Sequence, residues 1–277
     1  MQPSAKIIAD SEWSGHRVTT IEVVMHRFVL AEFNTHRVFS RNSASSRAIP
    51  VAKQISRVTD QPAVPLVFPA EQKGMQGGEA LGDQEQMQAV DVWLGARDAA
   101  VAHANKLVEL GVHKSVVNRL LEPFMWHTVI VTSTEWENFF VQRCSPLAQP
   151  EIRAAADAMR EAFSASTPQP LEDGQFHMPY LDEETISEVT AMEHNVNDVL
   201  AKVSAARCAR VSYLTHDGRR DYQEDLNLYE RLVTARPPHW SPLEHVCRPP
   251  TGWERPRRVP GNLAPFVQLR HIVSGEV

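Results

Sequence analysis

The chain has 277 residues, 43% of them hydrophobic, with 34 acidic side chains against 28 Lys and Arg and a formal net charge of −6. That balance suits a soluble globular protein of one large domain or two ordinary ones and argues against a broad nucleic-acid surface, though a local basic pocket stays possible. No apolar run is long enough to span a membrane, the opening "MQPSAKIIADSEW" lacks the apolar stretch of a secretory signal, and Cys144, Cys208 and Cys247 are too widely spaced for a CxxC zinc site, which fits a reducing, cytoplasmic compartment.

The β-branched run "VTTIEVV" (18–24) predicts a strand, and "HRFVLAEFNTHR" after it can be helical. Next comes "THRVFSRNSASSR" (35–47), with three arginines, five hydroxyl side chains and no acid. It reads as a polar loop, either merely solvated or built to hold phosphate or carboxylate oxygens, which suit Arg forks and hydroxyls. Residues 59–83, with several Pro and Gly, predict a long loop of the kind that is often functional. Val90, Trp93, Arg97, Val101, Ala104 and Leu107 recur at helical spacing and stop at Gly111, predicting an amphipathic helix over 84–110. "HKSVVNRLL" predicts a second helix closed by Pro123, and "WHTVIVT" (126–132) a strand.

Thr134 with Glu137 predicts a capping box at the start of "EWENFFVQR". Pro150 suits the first turn of a helix that places Ile152, Ala156, Met159 and Phe163 on one face. Residues 164–182 are Pro-rich and read as linking. Residues 185–214 and "DYQEDLNLYERLVTA" predict further helices, and the tail "RPPTGWERPRRVPG" is irregular. The sum is an α+β, helix-rich single domain with a small, mostly antiparallel sheet: residues 1–165 as signature and helical core, 166–200 as a linking segment, and 201–277 as a C-terminal segment.

There is no GxGxxG, no P-loop, no His-x-x-x-His pair and no Cys cluster, so no metal site is expected. "QRCSPL" and "AARCARVSY" set cysteines beside arginines, which can lower a thiol pKa; a small buried hydrophobe is the plainer alternative. Three arginines recur in helical settings: Arg119 in "NRLLEP", Arg143 after "NFFVQ", and Arg153 in the first turn after Pro150. A cation there faces the positive end of its helix, a conflict that an anionic partner resolves; otherwise it is a surface arginine facing water.

These pieces together resemble the flavin-dependent thymidylate synthases. His36, Arg37, Ser40, Asn42, Ser45 and Arg47 fall on the family's arginine-rich signature. "NRLLEP" resembles its Ala-Arg-x-x-Leu-Pro segment, and "NFFVQRCSPLAQPEIR" its Asn-Phe-Leu-x-Leu-Arg…Ala-Gln-x-Glu-Ile-Arg segment. "RVSYL" and "HWSPLEH" resemble Arg-x-Ser-Tyr and His-x-Ser-Pro-Phe-Glu-His. The family's first signature arginine is Thr35 here, its acid after the asparagine is Ser43, its upstream glutamine is Glu32, and its histidine before Ala-Gln is Leu147. The His-x-Ser-Pro element normally precedes the signature. Here it lies near the C-terminus, an order resembling a circular permutant or a phage-associated branch of the family.

The resemblance implies FAD as cofactor, with NADPH and 5,10-methylenetetrahydrofolate as co-substrates, and dUMP as the nucleotide that receives a one-carbon unit at C5. It assigns His36, Arg37, Arg143, His239 and Ser241 to the cofactor, and Glu32, Ser45, Ser46, Arg47, Arg119 and Arg153 to the nucleotide. Arg153 also acts in catalysis, favouring ionisation of the uracil ring. It implies a homotetramer with sites between subunits, and no nucleic-acid or membrane partner. Two alternatives stay open: a hydroxymethylase in which water captures the transferred carbon, and a non-catalytic binder of nucleotide or flavin.

Overall fold

The computed structural model describes residues 1–212, 221–252 and 261–276. Two strands open it, β1 (Ser4–Trp13) and β2 (His16–His26). They form an antiparallel hairpin turned by Ser14 and Gly15, both at positive φ, the backbone of a tight primed turn. A helical turn at Arg27–Val29 runs into α1 (Leu30–Phe33), so the helical reading after the strand holds over a short stretch only. The basic signature is not all loop: Ser40–Ser43 form β3, antiparallel to β4 (Trp126–Ser133), which also pairs with β2. Adding β5 (Gln169–Pro170), parallel to β1, gives the order β3-β4-β2-β1-β5, an α+β fold whose sheet is otherwise antiparallel.

Alternation divides the sheet faces. Ile21, Val23, Val129 and Val131 point into the main core, packed with α1, α5 (Glu137–Arg143) and α6 (Pro150–Ala165) through Phe33, Phe139, Ile152, Ala156 and Met159. Phe163 packs at its edge. A second cluster joins α2 (Val51–Asp60), the 27-residue α3 (Asp83–Glu109) and α4 (Lys114–Val117), where Val58, Ala104, Val117 and Leu121 are buried. Helix α3 has the predicted extent and ends beside Gly111 at φ 75°. Between α2 and α3 the long loop is partly ordered by Ala70 N–H to Glu79 O (2.7 Å) and Gly78 N–H to Ala70 O (2.8 Å).

Two local expectations fail. The helical turn Asn118–Phe124 runs through Pro123 rather than stopping at it, and closes beyond it with Met125 N–H donating to Glu122 O at 3.2 Å. The capping box is not formed. Trp136 caps α5 without a side-chain bond, and Ser133 Oγ instead accepts from Glu135 N at 3.0 Å.

Residues 166–200, expected to link, carry β5, the buried His177 and α7 (Glu183–Met192). With α8 (Val196–Ala209), α9 (Tyr222–Thr234), β6 (Cys247–Arg248), β7 (Val267–Gln268) and α10 (Leu269–Ser274) they form a C-terminal layer. Its own core holds Ala201, Ala205, Tyr229, Leu243 and Leu269. The layer covers the other sheet face: Val18 packs with Cys247, Leu263 and Phe266, and Ile130 with Cys208. Tyr213 of "RVSYL" and most of the irregular tail lie outside the described residues. Among the described residues no helix is long and apolar enough to cross a membrane.

A buried polar chain fastens layer to sheet. His245 Nδ1 bonds Thr132 Oγ1 at 2.8 Å, Thr132 bonds Thr20 Oγ1 at 2.7 Å, Thr20 bonds His177 Nε2 at 2.8 Å, and His177 Nδ1 bonds Ser11 Oγ at 2.9 Å. Burial pushes the His177 pKa down to about 4, against the nearby Asp10 charge, and that of His245 to about 3 with help from His177. Both rings are therefore neutral when folded at neutral pH. Unfolded, each takes a proton near pH 6.5, so the unfolded state gains protons first as pH falls, and stability drops from about pH 6.5 down toward the folded values. The expected slope approaches about 1.4 kcal/mol per pH unit for each histidine. His127, held at about 3 by burial, adds a similar share, so urea unfolding at pH 7, 6 and 5 measures the sum and His177→Gln should remove only that histidine's part of it. A flat profile would mean that the rings are not buried neutral.

Candidate functional site

The resemblance-assigned residues fall into separate groups in the single chain. In the first, Arg143 at the end of α5 reaches back to the turn after α1. Its Nε donates to His36 Nε2 at 2.9 Å, and its Nη2 donates to Thr35 Oγ1 at 3.1 Å and to the Glu32 carbonyl at 3.3 Å. His36 is 9% exposed and lies edge-to-face on Phe139 at 4.9 Å. Burial, then the Arg143 and Arg41 charges, lower its pKa, so the ring is neutral with Nε2 accepting and the proton at Nδ1. Thr35 thus takes part through its hydroxyl. Glu32 contributes its carbonyl, while its carboxylate Oε2 is buried without a partner.

Arg37 is exposed and has no hydrogen-bond or ion-pair partner among the described residues. Arg41 turns the other way along β3 and donates to the carbonyls of His36 (3.3 Å) and Phe33 (3.5 Å). The alternate residues Ser40 and Asn42 face the C-terminal layer. Asn42 Nδ2 donates to Cys208 O at 2.7 Å, and Gln268 Nε2 donates to both Ser40 Oγ (2.9 Å) and Glu244 O (2.8 Å). The helical turn Ser241–Glu244 of "HWSPLEH" consequently packs on β3, inside the signature. Its Glu244 pairs with Arg270. His239 and Ser241 are exposed.

The second group centres on Glu122. Its Oε1 accepts from Arg119 Nη1 (2.7 Å), Ser46 Oγ (3.0 Å) and Arg27 Nη2 (3.3 Å). Asn118 Nδ2 holds the same turn through the Ser46 carbonyl at 2.6 Å. A carboxylate thus occupies Ser46 and Arg119, two of the donors that the resemblance gives to the nucleotide, with Arg27 as a third. Ser45 is half-buried and Arg47 exposed beside them. Sequence reasoning missed Glu122 and Arg27. The available signal for Glu122 was its place three residues after Arg119, a spacing that sets two side chains on one helical face.

Arg153 stands apart in the first turn of α6, 44% exposed, and its charge is met by Asp157 one turn on, at 3.5 Å. The anion that resolves its conflict with the helix end is therefore, in the single chain, an acid of the same helix. Among the described residues no hydrogen bond or ion pair joins Arg153 to Arg119 or Ser46. It does lie near Cys144, the neighbour of Arg143. Burial and a hydrogen bond with Asp157 push the Cys144 thiol up to about 11, although Arg160 and Arg153 pull it down. Cys208 and Cys247 are fully buried with thiols raised by burial. The activated-thiol reading therefore fails for Cys144 and Cys208, the two cysteines set beside arginines.

A family model described as thymidylate synthase complementing protein matches residues 10–169, more than half of the chain. Among solved structures, this chain is similar to a UMP/dUMP methylase, PolB from Streptomyces cacaoi, bound with 5-Br UMP in one case and 5-Br dUMP in another. Each is 15% identical, with a TM-score of 0.47, and covers 59% of this chain; the match spans 89% and 90% of those chains. A comparison with curated proteins gives no match.

Proposed function

The chain belongs to the thymidylate synthase complementing protein family, and from that premise we propose that it transfers a one-carbon unit from 5,10-methylenetetrahydrofolate to C5 of dUMP, giving dTMP, with FAD as cofactor and NADPH as reductant. The observation that carries the reading is the packing of Ser241–Glu244 on β3, which sets "HWSPLEH" against the signature despite the rearranged order of the motifs.

The residues present fit a flavin dinucleotide. Arg37 is an exposed guanidinium without a counter-ion among the described residues, and His239 and Ser241 are exposed donors on a segment seated on the signature strand. Such donors suit a pyrophosphate. Arg37, His239, Ser241, and the neutral His36 aligned by Arg143, would hold it. Flavin, when bound, supplies the hydride that reduces the transferred carbon.

The chain's own part is charge and position. Ser45, Ser46, Arg47 and Arg119 bind the nucleotide phosphate, which takes over from Glu122 as acceptor at Ser46 and Arg119. The Arg153 guanidinium stabilises the ionised uracil ring, raising electron density at C5. Since no hydrogen bond or ion pair joins Arg153 to Ser46 or Arg119 among the described residues, the reading includes a homotetramer whose sites draw on more than one subunit. In it the whole chain acts as one domain completed by residues 201–277.

Denaturing the purified protein is expected to release FAD, identified by chromatography and absorbance, and the mass of the nucleotide product should correspond to a methyl group on uracil. A colourless protein that does not saturate with added FAD would overturn the flavin assignment, and a hydroxymethyl product would replace dTMP.

A further inference from the structure

A cleft of about 450 Å³ lies against the sheet between β2, β4 and α2. None of the residues proposed above to contact flavin or nucleotide lines it. Its volume is in the range of small-molecule sites. Its walls are largely apolar and partly flat: Val24 and Trp126 on the strands, Val58 on α2, and Phe124 and Met125 at the join to β4.

Three polar groups on this wall lack partners. Arg57 is half-buried and has no hydrogen-bond or ion-pair partner among the described residues. Burial alone lowers its pKa, so its charge is partly desolvated and uncompensated. Gln54, 1% exposed, leaves Oε1 buried and unpaired, and Trp126 leaves Nε1 in the same condition. Buried polar groups are nearly always hydrogen-bonded, so two buried deficits beside an unpaired guanidinium, all on one cavity, point to something that completes them.

The two acids on the wall are already engaged. Glu22 Oε2 accepts from Tyr180 Oη at 2.6 Å, and Asp60 Oδ2 from Ser56 Oγ at 2.8 Å. They add negative charge near a single guanidinium. A phosphate monoester would therefore meet more repulsion than a single carboxylate, which matches the planar fork of one arginine.

We propose that this cleft is a second binding site, which takes a flat aromatic monocarboxylate with its acid group on Arg57 and its ring against Trp126 and Phe124. The site belongs to the fold of the single chain, and the inference does not depend on dUMP being the substrate.

The probe is 2-naphthoate, titrated by calorimetry into the full-length protein, with 2-naphthamide and 2-naphthyl phosphate as controls. Saturable 1:1 binding is expected, with both controls weaker by about tenfold or more, as for loss of one charge-assisted hydrogen bond. Arg57→Gln should weaken naphthoate by a similar factor and Arg57→Lys by less, while dUMP binding is unchanged in both. Absence of saturation at millimolar probe, equal binding of the amide, or unchanged binding to Arg57→Gln would overturn the proposal. So would displacement of naphthoate by dUMP, which would assign the cleft to the nucleotide. The amide control uses the unaltered protein, so the test stands even if a variant folds poorly.

Discussion

Arg207→Met is expected to lower the unfolding free energy by about 3–5 kcal/mol, the cost of breaking a buried ion pair from one side. Arg207 is 1% exposed on α8 and binds three neighbouring parts of the chain. Its Nε donates to Asp225 Oδ2 on α9 (2.8 Å), Nη2 to Thr185 Oγ1 on α7 (2.8 Å), and Nη1 to Tyr180 O (3.0 Å) and Asp182 Oδ2 (3.2 Å). Methionine fills similar volume but leaves Asp225, 4% exposed at its side chain, with Arg210 alone. The double variant Arg207→Met/Asp225→Asn should recover part of the loss, since it removes the stranded charge. Urea unfolding of both variants decides the matter. A single-variant loss below about 1 kcal/mol, the scale of an exposed pair, would show that the network does not anchor the layer.

Arg153→Ala is expected to cut turnover of dUMP about a hundredfold, or about 3 kcal/mol of transition-state stabilisation, while leaving the fold and flavin content intact. Folding should tolerate the change because the side chain is 44% exposed and its ion pair with Asp157 lies on a helix surface, where such pairs are worth about 0.3–0.5 kcal/mol. The measurement is steady-state dTMP formation with NADPH and methylenetetrahydrofolate, alongside flavin absorbance and thermal unfolding. Turnover near that of the unaltered protein would remove Arg153 from the reaction and leave it as the surface arginine of the alternative reading.

The elements legible in the sequence were those whose own residues decide them. β2 and β4 carry β-branched runs, α3 and α6 have helical apolar spacing, and Asp221 heads α9, its carboxylate accepting from Gln223 N and Glu224 N. What escaped is decided by partners far along the chain. "SAKIIADSEW" alternates poorly because its register shifts between Ile7 and Ala9, and β2 holds it as a strand all the same. "SRNS" has no strand propensity of its own and is extended because β4 pairs with it. The arginines of the candidate site stood out by composition, and the family likeness gave them roles. The Glu122 hub could not be read that way, because its bonds from Ser46 and Arg27 cross 76 and 95 residues.

The hydroxyl-imidazole chain between sheet and C-terminal layer also sets an order for synthesis. Thr20 and Thr132 emerge from the ribosome well before their partners His177 and His245. Until those residues are made, one face of a nearly complete sheet, including Val18 and Ile130, has nothing to lie against. A nascent chain at the end of α6 already contains the arginine signature, yet its β3 lacks the bonds that Gln268 and Cys208 later supply. Cys208 and Gln268 must therefore both be made before the layer side of the signature strand has these bonds, although β4 pairs with its backbone much earlier. A chain cut short of Gln268 would keep Arg37, Arg41, Arg47, Arg119, Arg143 and Arg153, yet Ser40 on the signature strand would lack the bond that Gln268 gives it.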